Sequence, residues 1–326
     1  ACKSECPSNV DVAKLKAEFL QQYYDANGVP FRSKLIANFT TAAKLASLFP
    51  SLYNFIISNV ITGSVIKILS GFAIKRSMPK ISKVTLENWF QKNYTSINKN
   101  GNKKVYLFCD EFTNYNDAEI GIKGILLLEK LGYEVLLPTQ VESGRAWLSK
   151  GLLRQAKKIA NQNIELLGGI VTNEIPLIGI EPSAILTFRD EYPDLADDHN
   201  VASANALAKN AFLIDEFIAN EIFKGNIQTQ AFTKNARLIK LHGHCQQKAI
   251  ASVASTQAIL SFPENYKVEV IPSGCCGMAG SFGYEKEHYD LSMQIGELVL
   301  LPAVRNQLSD TIIAAPGTSC RHQIKD

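Results

Sequence analysis

Residues 104–110, KVYLFCD, and 238–245, LIKLHGHC, are short stretches in which apolar residues lead up to a cysteine. Shifted by 136 residues, the first lies on the second and places Cys109 on Cys245. At the same offset EVLLPT (134–139) falls within two residues of VEVIPS (268–273), and Thr139 and Gln140 fall on Cys275 and Cys276. EPSA (181–184) falls on GTSC (317–320), so Ala184 meets Cys320. Three loops agreeing at one offset argue for an internal repeat of two homologous α/β halves, of which the second keeps the cysteines.

Around these loops, short apolar runs alternate with helical periodicity, the pattern of α/β units with mainly parallel sheets. Strands are expected at 104–108, 134–138, PLIGIEPS (176–183, with its turn), 237–244, 268–274 and TIIAAPGTS (311–319). Helices are expected over AEIGIKGILLLEKLG, LLRQAKKIANQNIELL, FLIDEFIANEIFKG, KAIASVASTQAIL and LSMQIGELVLLPAVRN. Residues 10–100 read as helical, broken at Pro30, Pro50 and Pro79, and the polar loop NKNGNKK (98–104) marks a boundary. The expected organisation is a helical N-terminal segment (1–100), a repeat without paired cysteines (101–234) and a cysteine-bearing repeat (235–326).

The chain has 326 residues, 46% apolar and 20% charged, with a net charge of +3. This is globular composition, and the charge is too small to point to nucleic acid as a partner. Lysines concentrate between Lys75 and Lys104, which reads as a solvated linker. Residues 51–74 form the most apolar window, but Asn, Thr, Ser and Lys67 interrupt it. It reads as two packed or interfacial helices, with peripheral contact at a membrane surface as the alternative. Seven cysteines without a secretory pattern make reduced cytoplasmic thiols the expectation.

The N-terminus reads ACKSECP, with Cys2 and Cys6 spaced C-x3-C-P. That is the closing half of a ferredoxin cluster run, so the chain is expected to continue a longer polypeptide and to share a [4Fe–4S] cluster with it.

In each half the cysteine positions follow strands, where open parallel sheets place their ligand sites. Cys245, Cys275, Cys276 and Cys320 are therefore expected to gather at one sheet edge. Soft thiolates suit an iron–sulfur cluster or zinc. Cys109 becomes a fifth ligand if the halves face each other. His242, His244 and His322 flank the cysteine loops and are candidates for ligation or for support of the ligands. Glu285, His288 and Tyr289 follow at helical spacing as a candidate proton relay. Arg189 and Arg321 are candidates to steer an anion, or to pair structurally, Arg189 with Asp190 or Glu191. No P-loop, G-x-G-x-x-G after a strand, or G-x-S-x-G elbow is present.

FCDEFTNYND (108–117), HGHCQQKA (242–249), GCCGMAGSFGYEKEHYDLSMQIGE (274–297) and APGTSCRHQI (315–324) together resemble the cysteine-rich CCG domain family. That family includes a subunit of heterodisulfide reductase and the iron–sulfur subunit of glycolate oxidase. The fuller resemblance is to the part of fused proteins that follows an FAD-binding 2-hydroxy-acid dehydrogenase unit. It implies that Cys2 and Cys6 belong to a ferredoxin cluster and that the CCG cysteines hold a cluster or zinc. It also implies FAD-binding and ferredoxin domains upstream as partners and electrons passed to an unidentified acceptor, while cysteine usage and the apolar window place the chain in the cytoplasm, at the inner face of the membrane if peripheral contact is made. The sequence departs from the pattern at Gly317, where the family carries the first cysteine of a C-x-x-C pair, and in the first half, which excludes a full complement of two CCG clusters. Structural zinc bracing the flavin unit, or thiol–disulfide chemistry, are the competing readings.

Overall fold

The computed structural model describes residues 6–8, 10–99, 101 and 103–326. Two parallel sheets form its frame. The first consists of β1 (Lys104–Phe108), β2 (Glu134–Leu136), β3 (Leu177–Gly179) and β4 (Ala211–Leu213), in the order β2-β1-β3-β4. The second consists of β5 (Arg237–Leu241), β6 (Tyr266–Val270) and β7 (Ile312–Ala314), in the order β6-β5-β7. In both, the strand that runs into the Cys109 or Cys245 position is flanked by the next two strands of its own half. Tyr106 lies opposite Leu136 and Leu177, and Ile239 lies opposite Val268 and Ile312.

Strand alternation decides what each face of β1 buries. Phe108 enters a cluster with Phe188, Tyr192 and Leu177, while Val105, Leu107 and Cys109 point the other way to Ile125 and Leu128. The second sheet has a smaller core, and thiols are part of it: Cys276 and Cys320 pack with Ile271, Met278 and Leu300.

Several expected elements differ in detail. Phe212 and Leu213 do not begin a helix but form β4, because Ile178 and Gly179 offer them a parallel ladder, and the helix starts at Ile214. The helix around 248–260 is two, Cys245–Ile250 and Ala254–Ser261. The last long one is also two, Tyr289–Glu297 and Leu300–Arg305, with Pro302 in the first turn of the second, where its missing N–H costs nothing.

The N-terminal segment supplies α1 (Val12–Asn27), α2 (Phe31–Ala37), α3 (Phe39–Ala46), α4 (Pro50–Ser58), α5 (Val60–Ser70) and α6 (Leu86–Asn93). The apolar window is α4 and α5, bent by 85° at Asn59. Asn59 caps α5 by accepting from the Ile61 and Thr62 N–H groups, so the bend has a local cause. Among the described residues no single helix is long and apolar enough to cross a membrane. The outer face of the pair exposes Phe55, Ile61 and Leu69.

Residues 71–85 are not helical and are no solvated linker. Phe72 makes an antiparallel bridge with Glu285, and the Ala73 N–H donates to the Tyr284 carbonyl at 2.7 Å. Arg76 is fully buried. Its guanidinium donates to the Gly283 carbonyl, Ser292 Oγ and Asp326, and lies 4.9 Å from the Tyr289 ring. One side chain of the N-terminal segment thus ties together three separate stretches of the second half. Arg76→Met takes the buried donor from the Gly283 carbonyl and Ser292 Oγ, so it is expected to cost about 1–3 kcal/mol in chemical denaturation. Arg76→Lys should recover little of this, because an ammonium cannot reproduce the guanidinium fork.

Candidate metal centre

All strands of the second sheet run in one direction, so the segments that leave β5, β6 and β7 emerge at one edge. Cys245 opens the helix after β5, Cys275 and Cys276 lie in the loop after β6, and Cys320 is in the helix Thr318–Lys325 after β7. All four thiols line one cleft, and Cys276 and Cys320 lie with His242 in a group whose ligand atoms are all within 4.8 Å of one another. Hydrogen bonds from the Cys245 and Cys276 thiols hold the Cys275 thiol far below its ordinary pKa, and the Gly277 N–H adds a further bond at 3.3 Å. Cys320 is likewise lowered, first by the Cys276 thiol and then by His242 and His244 nearby. Cys245 and Cys276, which donate, are pushed up. Cys276 and Cys320 are buried, Cys245 and Cys275 half-buried, and no disulfide links the described cysteines.

Two glycines are required here. Gly277 has φ +96°, and a Cβ on it would lie 2.1 Å from the Ser292 carbonyl oxygen. At Gly317, where the family's pattern has cysteine, a Cβ would lie 2.2 Å from the His244 ring. His244 thus fills the space that the missing side chain would need.

The histidines take different parts. His242 is fully buried, its Nδ1 lies 2.7 Å from Ser273 Oγ, and one of its ring nitrogens lies within 4.8 Å of the Cys276 and Cys320 sulfurs. His244 caps the Cys245 helix by accepting from the Gln246 N–H, with Nε2 4.0 Å from Glu181. His322 is spent on Tyr284, at 2.8 Å, and Ser77, at 2.7 Å. Of the expected relay, His288 Nδ1 comes within 3.5 Å of Glu285 Oε2, but Tyr289 is turned to another partner. Glu285 is ion-paired to Arg32 and Lys150, His288 stacks on Phe282, and Tyr289 lies against Arg76.

Cys109 is not brought to the other four. It packs in the first-half core with Leu86, Val105 and Ala118, where burial pushes its thiol well up. Gln140, the repeat counterpart of Cys276, closes on it from the side: it accepts from the Cys109 N–H and donates to the Cys109 carbonyl, both at 3.0 Å. A structural amide stands where the second half has a thiol. Arg189 pairs with Glu216, not with Asp190 or Glu191, and Arg321 pairs with Asp117. Cys6 is described as a free, half-buried thiol, and Cys2 lies outside the described residues.

Sequence reading did not single out the carboxylates with which the first half grips this centre. Glu181, 3% exposed, accepts from the Thr318 N–H at 2.7 Å, and Asp117 accepts from Thr318 Oγ1 at 2.7 Å. Both sit at the N-terminus of the Cys320 helix, where anions are favoured. The signal was present, because Glu181 belongs to the EPSA stretch that aligns with GTSC. The thiols face a cleft of about 970 Å3 between sheet edge and N-terminal helices, walled on its far side by Leu35, Phe39 and Ile57. The donor set suits a soft metal: Cys276, Cys320 and His242 lie within 4.8 Å of one another, and Cys245 and Cys275 line the same cleft.

No family model matches the chain. It is 28% identical over 337 residues to D-2-hydroxyglutarate dehydrogenase of Escherichia coli K12, an alignment that covers 100% of this chain and 32% of that protein. It is 26% identical over 306 residues to a subunit of the anaerobic glycerol-3-phosphate dehydrogenase of the same organism, covering 87% of this chain and 75% of that relative. Lactate utilization protein A of Macrococcus caseolyticus is 28% identical over 186 residues, 55% of this chain and 72% of that protein. The chain thus spans about a third of the length of its dehydrogenase relatives.

Two expectations follow from this geometry. A side chain at 277 adds about 1–3 kcal/mol of backbone strain to the clash, so Gly277→Ala is expected to lower bound metal per chain, measured by elemental analysis. Asp110, fully buried beside Glu111 and Glu181, is pushed by burial, then by those charges, from 3.8 up to about 8. The folded state therefore keeps a proton there that the unfolded chain has released, and stability falls as pH rises between about 4 and 8. Asp110→Asn keeps an acceptor for the Phe112 and Thr113 N–H groups and cannot ionise. Its thermal stability should fall less than the wild type's across that range.

Proposed function

We propose that this chain is the iron–sulfur electron-transfer module of a larger flavin-dependent 2-hydroxy-acid oxidoreductase. The observation that carries this reading is the convergence of Cys245, Cys275, Cys276 and Cys320 at one sheet edge and on one cleft, two of them buried and two half-buried. The resemblance to proteins named as dehydrogenases, one of them acting on D-2-hydroxyglutarate, supports it. FAD-binding and ferredoxin domains upstream in the same polypeptide are the proposed partners, with Cys2 and Cys6 completing a [4Fe–4S] cluster there. The apolar outer face of α4 and α5 supports docking against a further surface.

A thiolate-bound cluster supplies one-electron carriage between flavin and acceptor, at a potential set by its ligands, hydrogen bonds and burial. The chain's own residues do the rest. Gly277 directs its N–H at the Cys275 sulfur and so favours the charged form of that ligand. Lys248 donates to the Ser273 carbonyl and steadies the loop before Cys275. Glu181 and Asp117 hold the Cys320 helix in place from the first half. Cys276 and Cys320 are only 2% and 1% exposed, which keeps water off that side, while the cleft leaves Cys275 open to an approaching donor or acceptor.

Zinc on the same residues would give a closed tetrahedral site without redox chemistry. Its use would be structural, and the clamp between the two halves at Thr318 favours this as the second reading. Iron, zinc and acid-labile sulfide are to be measured on the full polypeptide purified without oxygen. Iron and sulfide in comparable amounts, partly lost in Cys275→Ser together with visible absorption, are the expected outcome. Zinc with no change of iron or sulfide in that variant would overturn the electron-transfer role of this site.

A further inference from the structure

His242 has two nitrogens with unequal surroundings. Nδ1 lies 2.7 Å from Ser273 Oγ, and the Ser273 hydroxyl donates in turn to the Ile271 carbonyl at 3.5 Å. With its proton directed there, Ser273 Oγ is free to accept from an Nδ1–H, and that is the tautomer a metal at Nε2 requires. Nε2 is then the nitrogen with a free lone pair. It is buried with no hydrogen-bond partner, although buried polar atoms nearly always have one. The backbone leaves it little freedom, since the His242 N–H is tied to the Ala314 carbonyl at 2.9 Å, at the edge where β5 meets β7.

The same ring lies with Cys276 and Cys320 in a group whose ligand atoms are all within 4.8 Å of one another. Among the described residues, the other histidines beside the cysteine loops are committed elsewhere, His244 to the Gln246 N–H and His322 to Ser77 and Tyr284. The pattern's remaining cysteine, at position 317, is glycine here.

We infer that His242 is a metal ligand through Nε2, and that the centre has mixed cysteine and histidine ligation, with Ser273 fixing the tautomer. The inference deepens the proposed function and rests on a metal being held at this site. A hydrogen bond from the non-ligating N–H is the usual support of a metal-bound histidine. A neutral imidazole among thiolates adds no negative charge to the shell, and histidine in place of cysteine raises a cluster's potential.

The test uses the full polypeptide, grown with nitrogen-15 histidine and purified without oxygen. Pulsed electron paramagnetic resonance of the reduced protein should show coupling to a histidine nitrogen, and His242→Cys should retain the metal and lose that coupling. If His242→Cys does not fold, His242→Gln is read in the same way. Where the assay finds zinc, absorption at the zinc edge should show a nitrogen neighbour at about 2 Å that is absent from the variant. A cluster with no histidine coupling overturns the inference and leaves the electron-transfer reading intact, as does a coupling that survives at 242 and vanishes in His244→Gln. Zinc with the nitrogen neighbour overturns the electron-transfer reading and keeps the ligand. Protein with neither metal overturns both.

Discussion

Parallel pairing of β5 with β6 on one side and β7 on the other is the constraint from which the rest follows. It sends three chain segments off the same edge, so residues up to 75 positions apart become neighbours without any loop reaching for another. Because the second sheet is small, the thiols are core residues as well as candidate ligands. Stability and the proposed metal binding would therefore depend on the same few side chains, as structural metal sites commonly contribute to folding.

The first half shows what the same architecture does once the thiols are gone. Gln140 bonds to the backbone of Cys109, Asp110 caps the helix that follows, and Glu111 holds Ser143. The vacated edge has become a polar scaffold. Its remaining link to the centre is electrostatic, through Glu181 and Asp117 at the start of the Cys320 helix.

The N-terminal segment is a third layer and not a tether. Its helices roof the cleft above the thiols, and Arg76 and Phe72 sew it to the second half. Lys14 adds a tie to the first half, paired with Asp190 and Asp194. The cleft is bounded by all three parts, so its shape depends on their packing together.

Much of this was legible in the chain alone. Alternating apolar runs, a repeat at one offset and cysteines just after strands are local patterns, and local patterns specify parallel α/β units and the edge where a site must lie. Short range could not decide the rest. Phe212 and Leu213 have apolar side chains suited to helix or strand, and only the partner Ile178–Gly179 makes them β4. Arg76 sits in a lysine-rich stretch that reads as solvated, yet acceptors from the Gly283, Ser292 and Asp326 positions let it be buried. Cys109 carries the same flanking pattern as Cys245, but Gln140 and the surrounding core settle it as a packed thiol. His242 and His244 are two residues apart, and their roles diverge because one meets Ser273 and the other Gly317. Sequence determined which residues could take part in the chemistry. Tertiary structure decided which do, because burial and partner geometry arise only when distant segments meet.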